Sequence, residues 1–394
     1  MSFRLPFVPA DILIPKSDHH EWASIACDQF TSEPEYWENA YSEAGEKPSC
    51  LKITLPEVYL NDSNVENRIS SINKKMFEYL ESGILNEYKD ALILVERTIS
   101  DGRVRRGIVG AFELEAYSYE LGTKPLIRTT EGTVLSRIPP RVKIRKDAPL
   151  ELPHVMILAD DKQRTIIEQI DTKDLEVLYD FDLMLGGGHL KGYLLPKAEQ
   201  ERIFAALNAL AESEGDDVML FAVGDGNHSL ATAKNCAEII GTEQAKYALA
   251  ELVNIHDEAL DFEPIYRVMF GVDPKDVISE MKKAFSGAVE KKVEYFTATE
   301  SGSFYVDGLE SKVLQDFIDK YVSDHAGSEV DYIHGEDSLK QLSSKENAVG
   351  FIFSGINKDE LFPYVKKNGP LPRKTFSMGE ARDKRYYMEA RKLF

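Results

Sequence analysis

The stretch VMLFAVGDGNHSLATA (218–233) sets Asp225, Asn227, His228 and Ser229 within one turn of chain, a density of acid–base and hydrogen-bonding groups that invites chemistry. An apolar run precedes them, and Leu230, Ala233, Ala237 and Ile240 then recur on one helical face until Gly241. The pattern predicts a strand, a turn and a helix, with Gly224–His228 at the helix N-terminus. Free N–H groups and the positive end of the helix dipole favour a phosphate there, with Gly224, Gly226, Asn227 and Ser229 as the expected binding residues. Gly224 and Gly226 let the backbone approach a ligand or take positive φ, and Asn227 or Ser229 can cap the helix. His228 can donate to a phosphate oxygen, and Asp225 can hold a divalent cation or accept a hydroxyl proton. The alternative is a capped turn, with Asp225 in an Asx turn and His228 packed. Capping alone does not call for all four side chains, so a phosphate site is expected.

The segment KPLIRTTEGTVLSRIPPRVKIRK (124–146) carries seven Lys or Arg against one acid, Glu131. Arg128, Arg137 and Arg141 in extended chain between rigid prolines suit bidentate recognition of phosphate or carboxylate. A structural salt-bridge network is the equal alternative. Glu131 is a candidate general base or cation ligand, although the surrounding cations would lower its pKa. LMLGGGHLKGYLL (183–195) offers His189 behind three glycines, either a second anion loop or a plain flexible turn. Asp28, a second candidate cation ligand, and His154 can line a pocket. Trp22, Tyr36 and Trp37 are expected in the core or a pocket wall. HExxH, a zinc ligand set, a GxSxG elbow and a Walker A lysine are all missing from the sequence.

These residues need a scaffold. Segment 62–82 has a helical apolar period, ALILVERTI (91–99) and VRRGIVGAFEL (104–114) read as strands about an Asp101-Gly102 hairpin, and 196–212 reads as a helix. YALAELVNIH (247–256) reads as a strand, and the C-terminal segment 372–394 as a basic helix over an acidic body, with Lys374, Thr375 and Ser377 as further phosphate contacts. The expected fold is α/β with a mixed sheet and α+β character, divided into regions 1–215 and 216–394 or integrated as one domain. A net charge of −20 argues against nucleic acid and acidic membranes as partners. Three scattered cysteines, a start without a secretory pattern and the lack of a spanning apolar run lead us to expect a cytoplasmic protein.

Taken together, ACDQFTSEPEYW, VERTISDGRVRRG, IRTTEGTVLSRIPPRVKIR, LYDFDLMLGGGH, AVGDGNHSLATAK, ELVNIHDEALDFEP and KTFSMGEARDKRYYMEARK resemble the family called domain of unknown function 1015. That family usually shows a D-G-H-H-R-x-x-x-A type motif, similar to the phosphate-binding motif of the ParB/sulfiredoxin superfamily, which includes an ADP-dependent free serine kinase. The resemblance implies a ParB/sulfiredoxin-like core with large N- and C-terminal elaborations, whose turn and helix hold nucleotide phosphates. Asp225 and Gly226 match the motif, Asn227 replaces its first histidine, His228 matches its second, and Ser229 replaces its arginine. Pro264-Ile265-Tyr266-Arg267 likewise stands where relatives have P-T-H-R. Serine supplies neither the charge nor the fork of arginine, so Arg128, Arg137, Arg141 or Arg97 must compensate, or the ligand has changed. The expected function is a phosphotransferase using ADP or ATP with Mg²⁺ on a small hydroxyl-bearing metabolite. A nucleotide or phosphoester hydrolase and a non-catalytic sensor of an anionic metabolite are the alternatives.

Overall fold

A computed structural model describes residues 4–215 and 217–394. The chain divides into two compact units, one formed by residues up to 260 together with 380–394, the other by 261–379. The expected boundary at 215 instead falls inside the first unit, because the strand that follows it joins that unit's sheet.

The first unit is built on a ten-stranded mixed sheet. In chain order its strands are β1 (Phe7–Val8), β2 (Ile93–Thr98), β3 (Val104–Glu113), β4 (Tyr117–Ser118), β5 (Ile127–Thr129), β6 (Met156–Ala159), β7 (Glu176–Asp182), β8 (His189–Leu194), β9 (Phe221–Asp225) and β10 (Tyr247–Asn254). They run β7-β8-β2-β3-β10-β6-β9-β5-β4 across the sheet, with β1 beside β3. The β6–β10, β9–β5 and β5–β4 pairs are parallel, and β6–β9 is antiparallel. Ile93 and Val95 enter one core and Leu94 the other. Cover on both faces explains why β2 opens on a continuous apolar run, Ile93–Val95, rather than an alternating one.

Helices close the layers: α1 (Val65–Glu81), α2 (Ile138–Arg145), α3 (Lys197–Ser213) and α4 (Asn227–Ile240). α1 buries Ile69, Ile72, Met76 and Tyr79, the residues of its apolar period, or their neighbours one turn along. The hairpin at Asp101-Gly102 forms as expected, closed by the Ile99 N–H on the Arg103 carbonyl at 2.9 Å. Two expectations fail. Arg137 and Arg141 lie not in extended chain but in a helical turn and in α2, because Pro139 and Pro140 fit the first turn of a helix, where no N–H is needed. Residues 380–394 are not a helix either. Tyr386–Tyr387 pairs with Ser24–Ile25, and Arg391–Lys392 with Leu150–Glu151. Trp22 and Trp37 are core residues, fully buried.

The second unit is an antiparallel five-stranded sheet, in the order Ser301–Val306, Lys291–Phe296, Ala348–Phe353, Tyr266–Phe270, Glu329–Ile333, with its own apolar core. Arg267 is buried there and donates to Gln315 Oε1 at 2.7 Å. Thr375 and Ser377 spend their hydroxyls on the Pro372 and Gly379 carbonyls of the same unit. Among the described residues no helix is long and apolar enough to cross a membrane.

Candidate functional site

β9 carries Gly224 and Asp225 within the strand, and the turn between strand and helix is a single residue, Gly226. Gly226 has φ 80°, and a Cβ on it would lie 3.0 Å from Val155 Cα and Cγ2. Gly226→Ala is therefore expected to cost about 1–3 kcal/mol of stability in urea unfolding; an unchanged midpoint would mean the turn is not held in this conformation. α4 has neither a side-chain cap nor an acid in its first turn. The expected caps are engaged elsewhere: Asn227 Oδ1 accepts from Thr129 Oγ1 at 2.5 Å, and Ser229 Oγ meets His154 Nε2 at 2.7 Å.

Two segments flank this helix start. On one side, residues 129–134 run past it. The Thr129 hydroxyl reaches the Glu131 carbonyl at 2.6 Å as well as Asn227, and the Val134 N–H donates to His228 Nε2 at 3.1 Å. Accepting there, that ring nitrogen is not the phosphate donor expected of His228. On the other side lie His154 and the C-terminal segment. Lys384 Nζ is 3.2 Å from Asp225 Oδ2, Tyr387 Oη is 2.9 Å from His154 Nδ1, and Asp28 Oδ2 is 4.0 Å from His154 Nε2. Burial pushes the Asp225 carboxyl up. Lys384, His154 and the Gly226 N–H outweigh this and hold it below the usual carboxylate range. Asp225 is thus an anion suited to a cation or a cationic side chain, and a weak proton acceptor.

A cavity of about 150 Å³ opens beside the helix start. Ser229, His154 and Tyr387 form a polar part of its wall, Arg141 and Arg145 another, and Leu55, Leu152 and Leu249 are among its apolar lining. Arg141 is paired with Glu57, and Arg145 with Glu151, which Arg391 also holds at 2.5 Å. Cys27 lies in the same wall. Burial, then Asp28, pushes its thiol up to about 12, so it stays protonated.

The other expected phosphate ligands do not converge here. Arg128 is ion-paired with Asp217, as Lys124 is at 3.0 Å, and Arg137 is exposed. Arg97 is buried and donates to the Thr98 and Arg382 carbonyls at 2.5 and 3.2 Å. His189 is clamped between Asp180 and Asp182, each at 2.7 Å, so it belongs to an ion-paired hairpin rather than an anion loop. The salt-bridge alternative holds for most of the basic segment, with acids scattered through the first unit as partners. Asp28 and Asp225 form no joint cation site: among the described residues no group of three or more His, Cys, Asp or Glu is arranged to hold a metal.

Lys384, Tyr387 and Arg385 were the residues that motif reasoning missed. Arg385 donates to Glu251 and Glu389 at 2.5 Å each and to the Pro153 carbonyl at 3.1 Å, which fixes the segment bearing His154. The run RDKRYY did stand out as basic, but nothing in it signals a partner more than 150 residues away.

The model of a protein family described as being of unknown function, DUF1015, matches residues 7–353. This chain belongs to that family. No curated protein matches it. Among solved structures, a free serine kinase variant in complex with ADP is similar at 13% identity and TM-score 0.41, over 72% of this chain and 91% of that one. A conserved hypothetical protein from Pyrococcus furiosus reaches 14% and 0.36, over 69% of this chain and 90% of the other. SbnI with a C-terminal truncation, from Staphylococcus aureus, reaches 10% and 0.36, over 69% and 82%. Likeness this weak does not say what the DUF1015 chain binds.

Proposed function

We propose that the chain binds a nucleotide by its phosphates at the start of α4 and passes a phosphoryl group to a small hydroxyl-bearing molecule. The observation that carries this is the Asp225–Lys384 pair at the end of β9, set one residue before an uncapped helix N-terminus. First-turn N–H groups and a lysine offer phosphate oxygens donors and charge, and phosphoryl transfer asks a protein chiefly for positioning and charge. Mg²⁺ often rests on one or two carboxylates and on the phosphates themselves, and Asp225, held ionised, fits that role. Lys384 would then turn to the phosphates.

A second reading draws on the ion pairs of Arg128 and Arg141, which leave fewer cations for a transition state than a kinase commonly uses. It makes the chain a sensor that binds nucleotide without turnover. Calorimetric titration with ATP, ADP and AMP, with and without Mg²⁺, followed by product analysis, separates the cases. Nucleotide binding with a phosphorylated acceptor supports transfer. Free phosphate alone indicates a hydrolase, and binding without products indicates the sensor. If no nucleotide binds, the proposal fails.

A further inference from the structure

The side chains of Ser229 and His154 carry no step of the proposed phosphoryl transfer, yet their geometry is that of a nucleophile and its base. Ser229 Oγ lies 2.7 Å from His154 Nε2, and the other ring nitrogen lies 2.9 Å from Tyr387 Oη. A base within hydrogen-bond reach of a hydroxyl, and itself oriented by a third group, is the general signature of an activated nucleophile.

Hydrogen-bond roles follow from the neighbours. Tyr387 Oη accepts the Cys27 N–H at 3.2 Å. The tautomer that makes His154 a base is the one in which Nδ1 donates to Tyr387 Oη. Nε2 is then the free acceptor, and it faces the Ser229 hydroxyl. Both His154 and Tyr387 are largely shielded from water, and the ring of one meets the edge of the other at 5.5 Å between centroids.

Two features say which electrophile fits. Ser229 stands in the first turn of α4, where side chains lean back over the helix N-terminus. The N–H groups of that turn can therefore stabilise the oxyanion that forms on the acyl carbonyl oxygen once Oγ has bonded to its carbon. The cavity that Ser229 lines is mainly apolar, and its 150 Å³ matches the size of cavities known to accept a benzene ring.

We propose that Ser229, activated by His154, is a nucleophile that accepts a small apolar acyl group from an ester or thioester and delivers it to water. Ser229 Oγ bonds to the carbonyl carbon as its proton moves to His154 Nε2. The bond to the alcohol or thiol oxygen or sulfur then breaks, and the leaving group takes that proton. Water, giving a proton to Nε2, attacks the acyl-serine; the carboxylic acid leaves and the proton returns to Oγ. No nucleotide takes part, so this inference stands or falls apart from phosphoryl transfer.

The test is hydrolysis of p-nitrophenyl acetate, butyrate and dodecanoate by the full chain, with peptide mass spectrometry of Ser229. Expected are a burst of p-nitrophenol with acetate and butyrate, an acyl group on Ser229, and little turnover of dodecanoate. Ser229→Ala is expected to lower the rate at least about 10³-fold, and His154→Gln comparably. Ala233→Leu, which fills the cavity wall one helical turn from Ser229, is expected to slow butyrate more than acetate while the fold, followed by circular dichroism, persists. Turnover that survives Ser229→Ala in a folded protein overturns the proposal. So does a Ser229 that takes phosphoryl from ATP but no acyl group from the esters.

Discussion

Arg385→Leu is expected to cost the first unit about 3–5 kcal/mol, the largest stability loss we foresee from a single substitution. Arg385 is 3% exposed, as against 1% for Glu251 and 0% for Glu389, the two carboxylates it bridges. Removing the guanidinium leaves Glu251 with only Arg105, at 3.9 Å, and Glu389 with the Tyr179 hydroxyl, both where water cannot reach them, and it releases the Pro153 carbonyl. The cause can be separated from a simple loss of packing. Adding Glu251→Gln and Glu389→Gln removes the stranded charges, and the triple variant is expected to regain much of the lost stability in urea unfolding. If the triple variant is no more stable than Arg385→Leu, buried charge is not the reason.

The second large effect falls on ligand binding. Lys384→Met is expected to weaken nucleotide binding about 10- to 100-fold, the value of a charge-assisted hydrogen bond in a partly enclosed site. Asp225→Asn is expected to abolish the Mg²⁺ dependence of that binding while the nucleotide alone still binds. Its effect on stability has a defined sign. The folded Asp225 carboxyl titrates below its unfolded value, so its contribution is complete above about pH 4 and disappears as pH falls through the lowered value. The stability gap between wild type and Asp225→Asn should therefore narrow in acid and stay flat at neutral pH. Unfolding midpoints across that range decide it; a gap that widened in acid would falsify the assignment.

Local features were legible in the sequence. Periodicity located α1, α3 and α4, and Asp101-Gly102 fixed the hairpin, because each depends on residues within a few turns of one another. Ser229 stood out, since serine at a position where the family motif has arginine needs an explanation. What composition could not supply was pairing over distance. Arg128 and Arg141 looked like a phosphate clamp until Asp217 and Glu57 proved to face them. The helical state of α2 is not legible in the sequence because Pro139 and Pro140 suit rigid extended chain as well as the first turn of a helix. His154 drew notice as a pocket residue, but its two partners come from α4 and from the C-terminal segment, and only the tertiary fold joins them.

That C-terminal segment also sets an order of events. Residues 261–379 form a compact unit of their own, and they leave the ribosome before Lys384, Arg385 and Tyr387 do. Until residues 380–394 emerge, the nascent first unit lacks the strand that pairs with Ser24–Ile25, the guanidinium that holds Pro153, and the lysine beside Asp225. Lys384, Arg385 and Tyr387 thus reach the start of α4 only after the second unit has been synthesised.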